Sequence, residues 1–354
     1  MNKNEEWLQF FKTLLMFNIK LVLNKSALEI KMTNTQIITT EVRNFTSLRS
    51  YPSYITFEHV GKLPTCVDQK FEKNLILEES KIFYPKIDKL EAYFSSEYES
   101  LRFGAAQFCG FLHDTIAVEH SIVIPAIRDL YKLPFHIPVQ PIEDLFKLIT
   151  DEGHHAAQAL SFINIIKQHF DLEICENGDK LPLFLRRLEK QKSELSSDLD
   201  KSLFTMIIGI VTETRISKEL GQFTNNEYII SAVRENCSSH QHDETIHASQ
   251  FRALGEWSWS QFDDEQKELA AELYAKTTIA RSLPDISRIA FYMSQVTSYS
   301  RERCDKIVNK IFTPDVIREE MLIAARPTIF FLRKLGVLDF KVAREIFTKA
   351  GVTV

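Results

Sequence analysis

Apolar residues recur every three to four positions over long stretches of the chain, the period of a helix with one buried face. From Ile87 onward the pattern hardly lapses. It predicts a first helix over about Leu90–Glu99 and a second over about Arg102–Lys132 (R-F-G-A-A-Q-F-C-G-F-L-H-D-T-I-A-V-E-H-S-I-V-I-P-A-I-R-D-L-Y-K). The second stretch is apolar around most of its circumference, which predicts a central position. Pro125 predicts a kink there, where the carbonyl of Ser121 loses its partner. A third helix is expected from near Pro141, a residue suited to a first helical turn, to about His169. After a connection at Glu173–Leu181, a fourth is expected over about Ser197–Gly221 and a fifth over about Glu227–Leu254. Further helices are expected at Asp264–Arg281, Ser287–Ser298, Arg301–Ile311, Asp315–Leu335 and Phe340–Ala350. No run alternates strongly enough to predict a strand, so the fold class read from the pattern is all-α.

The chain before this region reads differently. Residues 32–85 mix Thr, Asn, Pro and aromatics without a helical period and are expected to form an irregular arm over the helical body. Trp7–Leu23 is apolar but carries Lys12 and Lys20, too short and interrupted to span a bilayer. No small-residue cleavage site follows it, and residues 1–31 are expected to be a poorly ordered extension ahead of Met32. Residues 86–354 are expected to form a single helical domain.

Composition narrows the function classes. With a net charge of -5 and no long basic run, the electrostatic footprint of a nucleic-acid binder is missing. The five cysteines (Cys66, Cys109, Cys175, Cys237, Cys304) are scattered, odd in number and form no C-x-x-C pair. That argues against a disulfide framework or a thiolate metal site, and it fits a reducing, cytoplasmic setting.

The chemistry lies in single carboxylates set into apolar helices. Glu119 interrupts T-I-A-V-E-H-S-I-V-I, and Glu213 follows the apolar run I-I-G-I-V. Glu152 and His155 are one turn apart in D-E-G-H-H, and His240, Glu244 and His247 share one face of S-S-H-Q-H-D-E-T-I-H-A-S-Q. Each piece has a plain alternative. Glu213 could pair with Arg215 or Lys218, Glu119 with Arg128 or a neighbouring helix; His240 alone would be a surface or satisfied core histidine, and an isolated Glu-x-x-His is usually a solvated face. The order Glu, Glu-x-x-His, Glu, Glu-x-x-His across four helices outweighs these readings. It is the recipe of a ferritin-like bundle carrying two metal ions, and carboxylate and imidazole donors favour iron or manganese. His113, His120, His154 and His242 flank these residues on other helical faces and are expected to pack or support.

The extra histidine one turn before the last Glu-x-x-His, His240-x-x-x-Glu244-x-x-His247, resembles the p-aminobenzoate N-oxygenase family of di-iron arylamine oxygenases. The resemblance covers about residues 85–300. It implies a ferritin-like helical bundle with extra C-terminal helices, and a di-iron site with seven ligands: Glu119, Glu152, His155, Glu213, His240, Glu244 and His247. It further implies O2 as co-substrate and an external reductase or reductant, since no flavin or NAD fingerprint occurs here. The implied substrate is a small-molecule amine, an arylamine or a natural-product amine free or held on a carrier protein. The implied product is at the hydroxylamine, nitroso or nitro level, and the implied assembly a homodimer. Two rival expectations are another di-iron oxidase on the same ligands (hydroxylase, desaturase or radical generator) and a non-enzymatic iron-binding protein. A radical generator needs a nearby tyrosine, and Tyr131 and Tyr228 are the nearest in sequence to the ligand helices.

Overall fold

Ser96 starts the first long helix by accepting a hydrogen bond from the Glu99 amide at 3.2 Å. In the computed structural model this helix, α1, runs over Glu97–Val118. It passes without a break into a π-helical turn at Glu119–Val123 and then into α2, Ile124–Asp129. The structure describes Tyr84 and residues 88–353, apart from positions 136, 138, 179 and 180. The expectations for residues 1–31, and for 32–85 apart from Tyr84, lie outside the described residues. Leu90–Glu99 is not one helix: a 3-10 turn covers Asp88–Tyr93, and helix begins only past the Ser96 cap.

The long rod ends in a 3-10 turn at Leu130–Lys132, close to its expected end. Pro125 falls in the first turn of α2, directly after the π turn. There the Ile124 amide reaches back five residues to the Glu119 carbonyl.

The second long helix, α3, spans Val139–Phe170. A short helix, α4, follows at Leu183–Ser193; the sequence reading left it unassigned, although Phe184, Leu185 and Leu188 already mark a buried face. Ser197 caps α5, Asp198–Thr224, by accepting from the Asp200 amide at 2.9 Å. The helix α6, Ser231–Gln261, starts later than expected and runs about two turns further. The remaining helices are α7 (Asp264–Ser282), α8 (Ile286–Val296), α9 (Arg301–Ile311), α10 (Pro314–Leu335) and α11 (Lys341–Lys349). Among the described residues there is no strand, and no helix is long and apolar enough to cross a membrane.

The rod packs on α3, and α5 on α6, giving a helical bundle; α7 and α10 back onto α5, while α8 lies against α1. Its apolar interior divides in two. One core takes Val118–Ile127, Leu145, Leu148, Leu203–Val211, Phe251 and Leu254. The other takes Phe103–Leu112, Phe162–Phe170, Ile216–Phe223 and Val233–Cys237. Between the two cores α3 buries Asp151, Glu152 and His155, α5 buries Thr212–Arg215, α6 buries His240, Glu244 and His247, and on the rod the layer meets Glu119. That layer is where the motifs sit.

Candidate metal centre

All seven residues singled out from the sequence are buried in this layer. Glu119, Glu152, Glu213 and Glu244 are at 0% exposure, and His155, His240 and His247 lie among them. Glu119 is the first residue of the π turn, so the extra residue in that turn sets the direction in which its side chain projects.

The distances bind the four helices together. His247 Nδ1 lies 2.9 Å from Glu152 Oε1, 3.4 Å from Glu244 Oε1 and 3.9 Å from Glu213 Oε2. His155 Nδ1 is 3.2 Å from Glu244 Oε1 and 3.3 Å from Glu152 Oε2. His240 Nε2 is 2.9 Å from Glu244 Oε1 and 3.8 Å from Glu119 Oε1. Donor atoms of Glu119, His155, His240 and Glu244 fall within 4.8 Å of one another, as do those of Glu152, His155, Glu244 and His247. The two sets share Glu244 and His155. Glu213 stands outside both and joins through His247.

Two of the plain alternatives are absent. Arg215 pairs with Glu219 and Arg128 with Asp129, so neither neutralises Glu213 or Glu119. His120 and His242 are exposed, and His113 lies 3.4 Å from the Cys175 sulfur.

Two supporting residues went unnoticed in the sequence. Asp243 Oδ2 lies 3.2 Å from His155 Nε2, and Asp151 Oδ2 lies 3.3 Å from His247 Nε2. Each carboxylate oxygen is placed to accept from Nε2, which leaves Nδ1 as the atom turned toward the glutamates. The signal was legible: both motifs read Asp-Glu-x-x-His.

Electrostatics make the layer costly. Burial, then the neighbouring carboxylates Glu152, Glu244 and Glu213, raise the Glu119 pKa well above its ordinary value. Burial, then Glu244 and Glu152, do the same to Glu213. Burial opposes the ionisation of Glu152 and Glu244 as well, but the His247 and His155 rings outweigh it and hold both below the usual range. Burial likewise opposes protonation of His155 and His247, yet their carboxylate partners raise both well above the ordinary imidazole value. Burial, followed by the charge on His155, lowers His240.

Both oxygens of Glu119, both of Glu213 and Oε2 of Glu244 are buried without a hydrogen-bond partner. Orphaned carboxyl oxygens at the meeting point of three imidazoles are what a bound cation would satisfy. The charges also match, since two divalent ions carry the four positive charges that four carboxylates neutralise. The residues present therefore fit a dinuclear metal centre, and oxygen and imidazole donors suit iron.

A cavity opens beside the layer. Thr115 and Val118, within about a turn of Glu119 on α1, and Ile216, three residues past Glu213 on α5, are among the residues that line it. It shares walls at Arg215, Gln222, Arg281 and Ile323 with a larger space of about 680 Å³.

No protein-family model matches the chain, and comparison with curated proteins gives no significant match.

Proposed function

We propose that the chain is a non-haem di-iron N-oxygenase, using O2 and an external electron donor to oxidise an amine to the hydroxylamine, nitroso or nitro level. The observation that carries this reading is the place of His240. It lies among the carboxylates, 2.9 Å from Glu244 and 3.8 Å from Glu119, as a third imidazole in a cluster with four glutamates.

Two ferrous ions, when bound, supply the electrons and open coordination positions that O2 reduction requires. Glu119, Glu152, His155, Glu213, His240, Glu244 and His247 would hold them. The residues of the chain do the rest. Asp243 and Asp151 fix the His155 and His247 rings by accepting from Nε2, which leaves both Nδ1 atoms toward the glutamates. The apolar cores on either side keep bulk water from the layer, and the cavity lined by Thr115 and Val118 on α1 and by Ile216 on α5, each within about a turn of Glu119 or Glu213, is where an amine would approach.

Among the rivals, a radical generator fits less well, because Tyr131 and Tyr228 are 65% and 72% exposed. The size of the cavity favours an enzyme over an iron store.

The test is direct. Anaerobically reduced, iron-loaded protein is mixed with O2 and p-aminobenzoate, and products are followed by mass spectrometry with labelled O2. Label appearing on nitrogen supports the reading. Two bound irons with label appearing only on carbon, across a panel of aryl and alkyl amines, would assign the site to another di-iron oxidase.

A further inference from the structure

We propose that the cavity beside the metal layer receives an elongated amine with a single negative charge, and that Arg281 anchors the charged end. The inference rests on the N-oxygenase reading for the fate of the amine, while the anchoring is a binding event independent of it.

Arg215 and Arg281 converge on one carboxylate. Arg215 Nη2 lies 2.5 Å from Glu219 Oε1, and Arg281 Nη2 lies 3.5 Å from Glu219 Oε2. Two guanidinium groups on one carboxylate leave one positive charge in excess. Arg215 also spends Nη1 on Ser282, 3.1 Å away. Arg281 is the less committed of the two: its guanidinium lies 4.3 Å over the Phe184 ring, and its buried Nε finds no acceptor. Its side chain is only 10% exposed, so this donor is shielded from water and would gain from an incoming oxyanion.

The other buried cation on these walls is already matched. Arg288 binds Asp114 through two bonds of 2.5 and 2.6 Å, and Lys89, nearer the outside, lies 2.8 Å from Glu320. Lys218, exposed on the wall, adds charge of the same sign. Asp285, on the wall of the larger space, offsets Lys218 in sum, so one positive charge remains in excess, and its buried share lies at Arg281 and suits a monoanion such as a carboxylate.

Length is the second constraint. Glu219 lies six residues beyond Glu213 on α5, about 9 Å along the helix axis. An amine held near Glu213 with its anion at Arg281 must bridge that separation. One para-substituted ring engages one end or the other, whereas two rings in line reach both. The adjoining space of about 680 Å³ accepts such a molecule.

The test is calorimetric titration of the iron-loaded, oxygen-free protein with 4′-aminobiphenyl-4-carboxylate, neutral 4-aminobiphenyl and p-aminobenzoate. The two-ring acid should bind roughly tenfold or more tightly than either other probe. Arg281→Gln should erase its advantage over the neutral amine while iron content stays at the wild-type level. Ile323→Trp, at a wall position 53% exposed and tolerant of change, should weaken the two-ring acid and spare p-aminobenzoate. Equal binding of acid and neutral amine, or an acid preference that survives Arg281→Gln, would overturn the assignment. If Arg281→Gln does not fold, the Ile323→Trp contrast decides: equal weakening of both acids overturns the proposal. Products are scored separately. Tight, Arg281-dependent binding without nitrogen oxidation would sink the N-oxygenase reading and leave the pocket standing.

Discussion

Asp151 on α3 lies 3.3 Å from Nε2 of His247 on α6, and α6 returns the favour with Asp243, 3.2 Å from Nε2 of His155 on α3. Each helix thus orients the other's imidazole. Asp151→Asn and Asp243→Asn should leave helical content unchanged and weaken metal binding by about 10–100-fold, the usual effect of losing a carboxylate that orients a ligating histidine. Competition against a chelator of known affinity measures this. Wild-type affinity in both variants would remove the orienting role.

Glu119 and Glu213 should show the opposite preferences of folding and function. Each places two orphaned oxygens in a dry interior. Glu119→Gln and Glu213→Gln replace an acid among acids by an amide that can donate to Glu152 or Glu244. The metal-free protein should gain on the order of 1–3 kcal/mol, the cost of an unsatisfied buried group. Metal content should fall below two ions per chain. Denaturant midpoints and metal analysis on the same samples check both halves, and full metal loading of Glu213→Gln would exclude that residue as a ligand.

His240→Ala should retain the fold and lose N-oxygenation, because the ring adds a neutral donor to a layer the other six residues already organise. Mass spectrometry of products at matched iron content decides it. Undiminished turnover would remove the case for an N-oxygenase.

Stability of the metal-free chain should fall as pH rises. Glu119 and Glu213 bind protons more tightly when folded than their reference value of 4.5, as do His155 and His247 relative to 6.5. Stability from such groups is complete below the reference value and is lost as pH rises through the folded one. Glu152 and Glu244 act in the other sense as pH falls below about 4.5, and His240, lowered from 6.5, does so below about 6.5, but the two raised imidazoles and two raised carboxylates outnumber it. Metal displaces the protons, so the rise in Tm on metal binding should widen from about pH 5 to pH 8. Melts with and without Mn(II), which needs no exclusion of O2, test this. A metal-induced shift that narrows over that range would contradict the assignment.

Gly209 lets α5 approach α2 just past the π turn. A Cβ there would sit 2.6 Å from the Ala126 Cβ and 3.1 Å from the Phe251 ring. Gly209→Ala should destabilise the protein by about 1–3 kcal/mol through overpacking, read as a lower Tm. Because Ala126 lies three residues past the π turn, metal affinity should fall with it.

The long helices and the residues of the buried layer were legible because each depends on local spacing. Apolar periodicity marked α3, α5, α6 and the C-terminal helices to within about two turns, and the lone carboxylates stood out against apolar neighbours. The Ser96 and Ser197 caps are equally readable, and the first marks the start of α1. The helix α4 hid in a stretch rich in Arg and Lys, where only Phe184, Leu185 and Leu188 face inward. What spacing cannot give is pairing across helices. Nothing local says that Asp151 reaches His247, that Arg281 turns to Glu219 rather than solvent, or that Glu119 opens a π turn. Those facts depend on which helices become neighbours.

The division of the interior also bears on how ions get in. A bundle with two oily ends and a charged waist is weakest at the waist, where burial works against the side chains. A brief parting there costs little apolar contact at either end, so the least expensive local opening is the one that exposes Glu119, Glu213 and the three imidazoles. With two cations bound, the same layer would turn from the seam of the protein into its clasp.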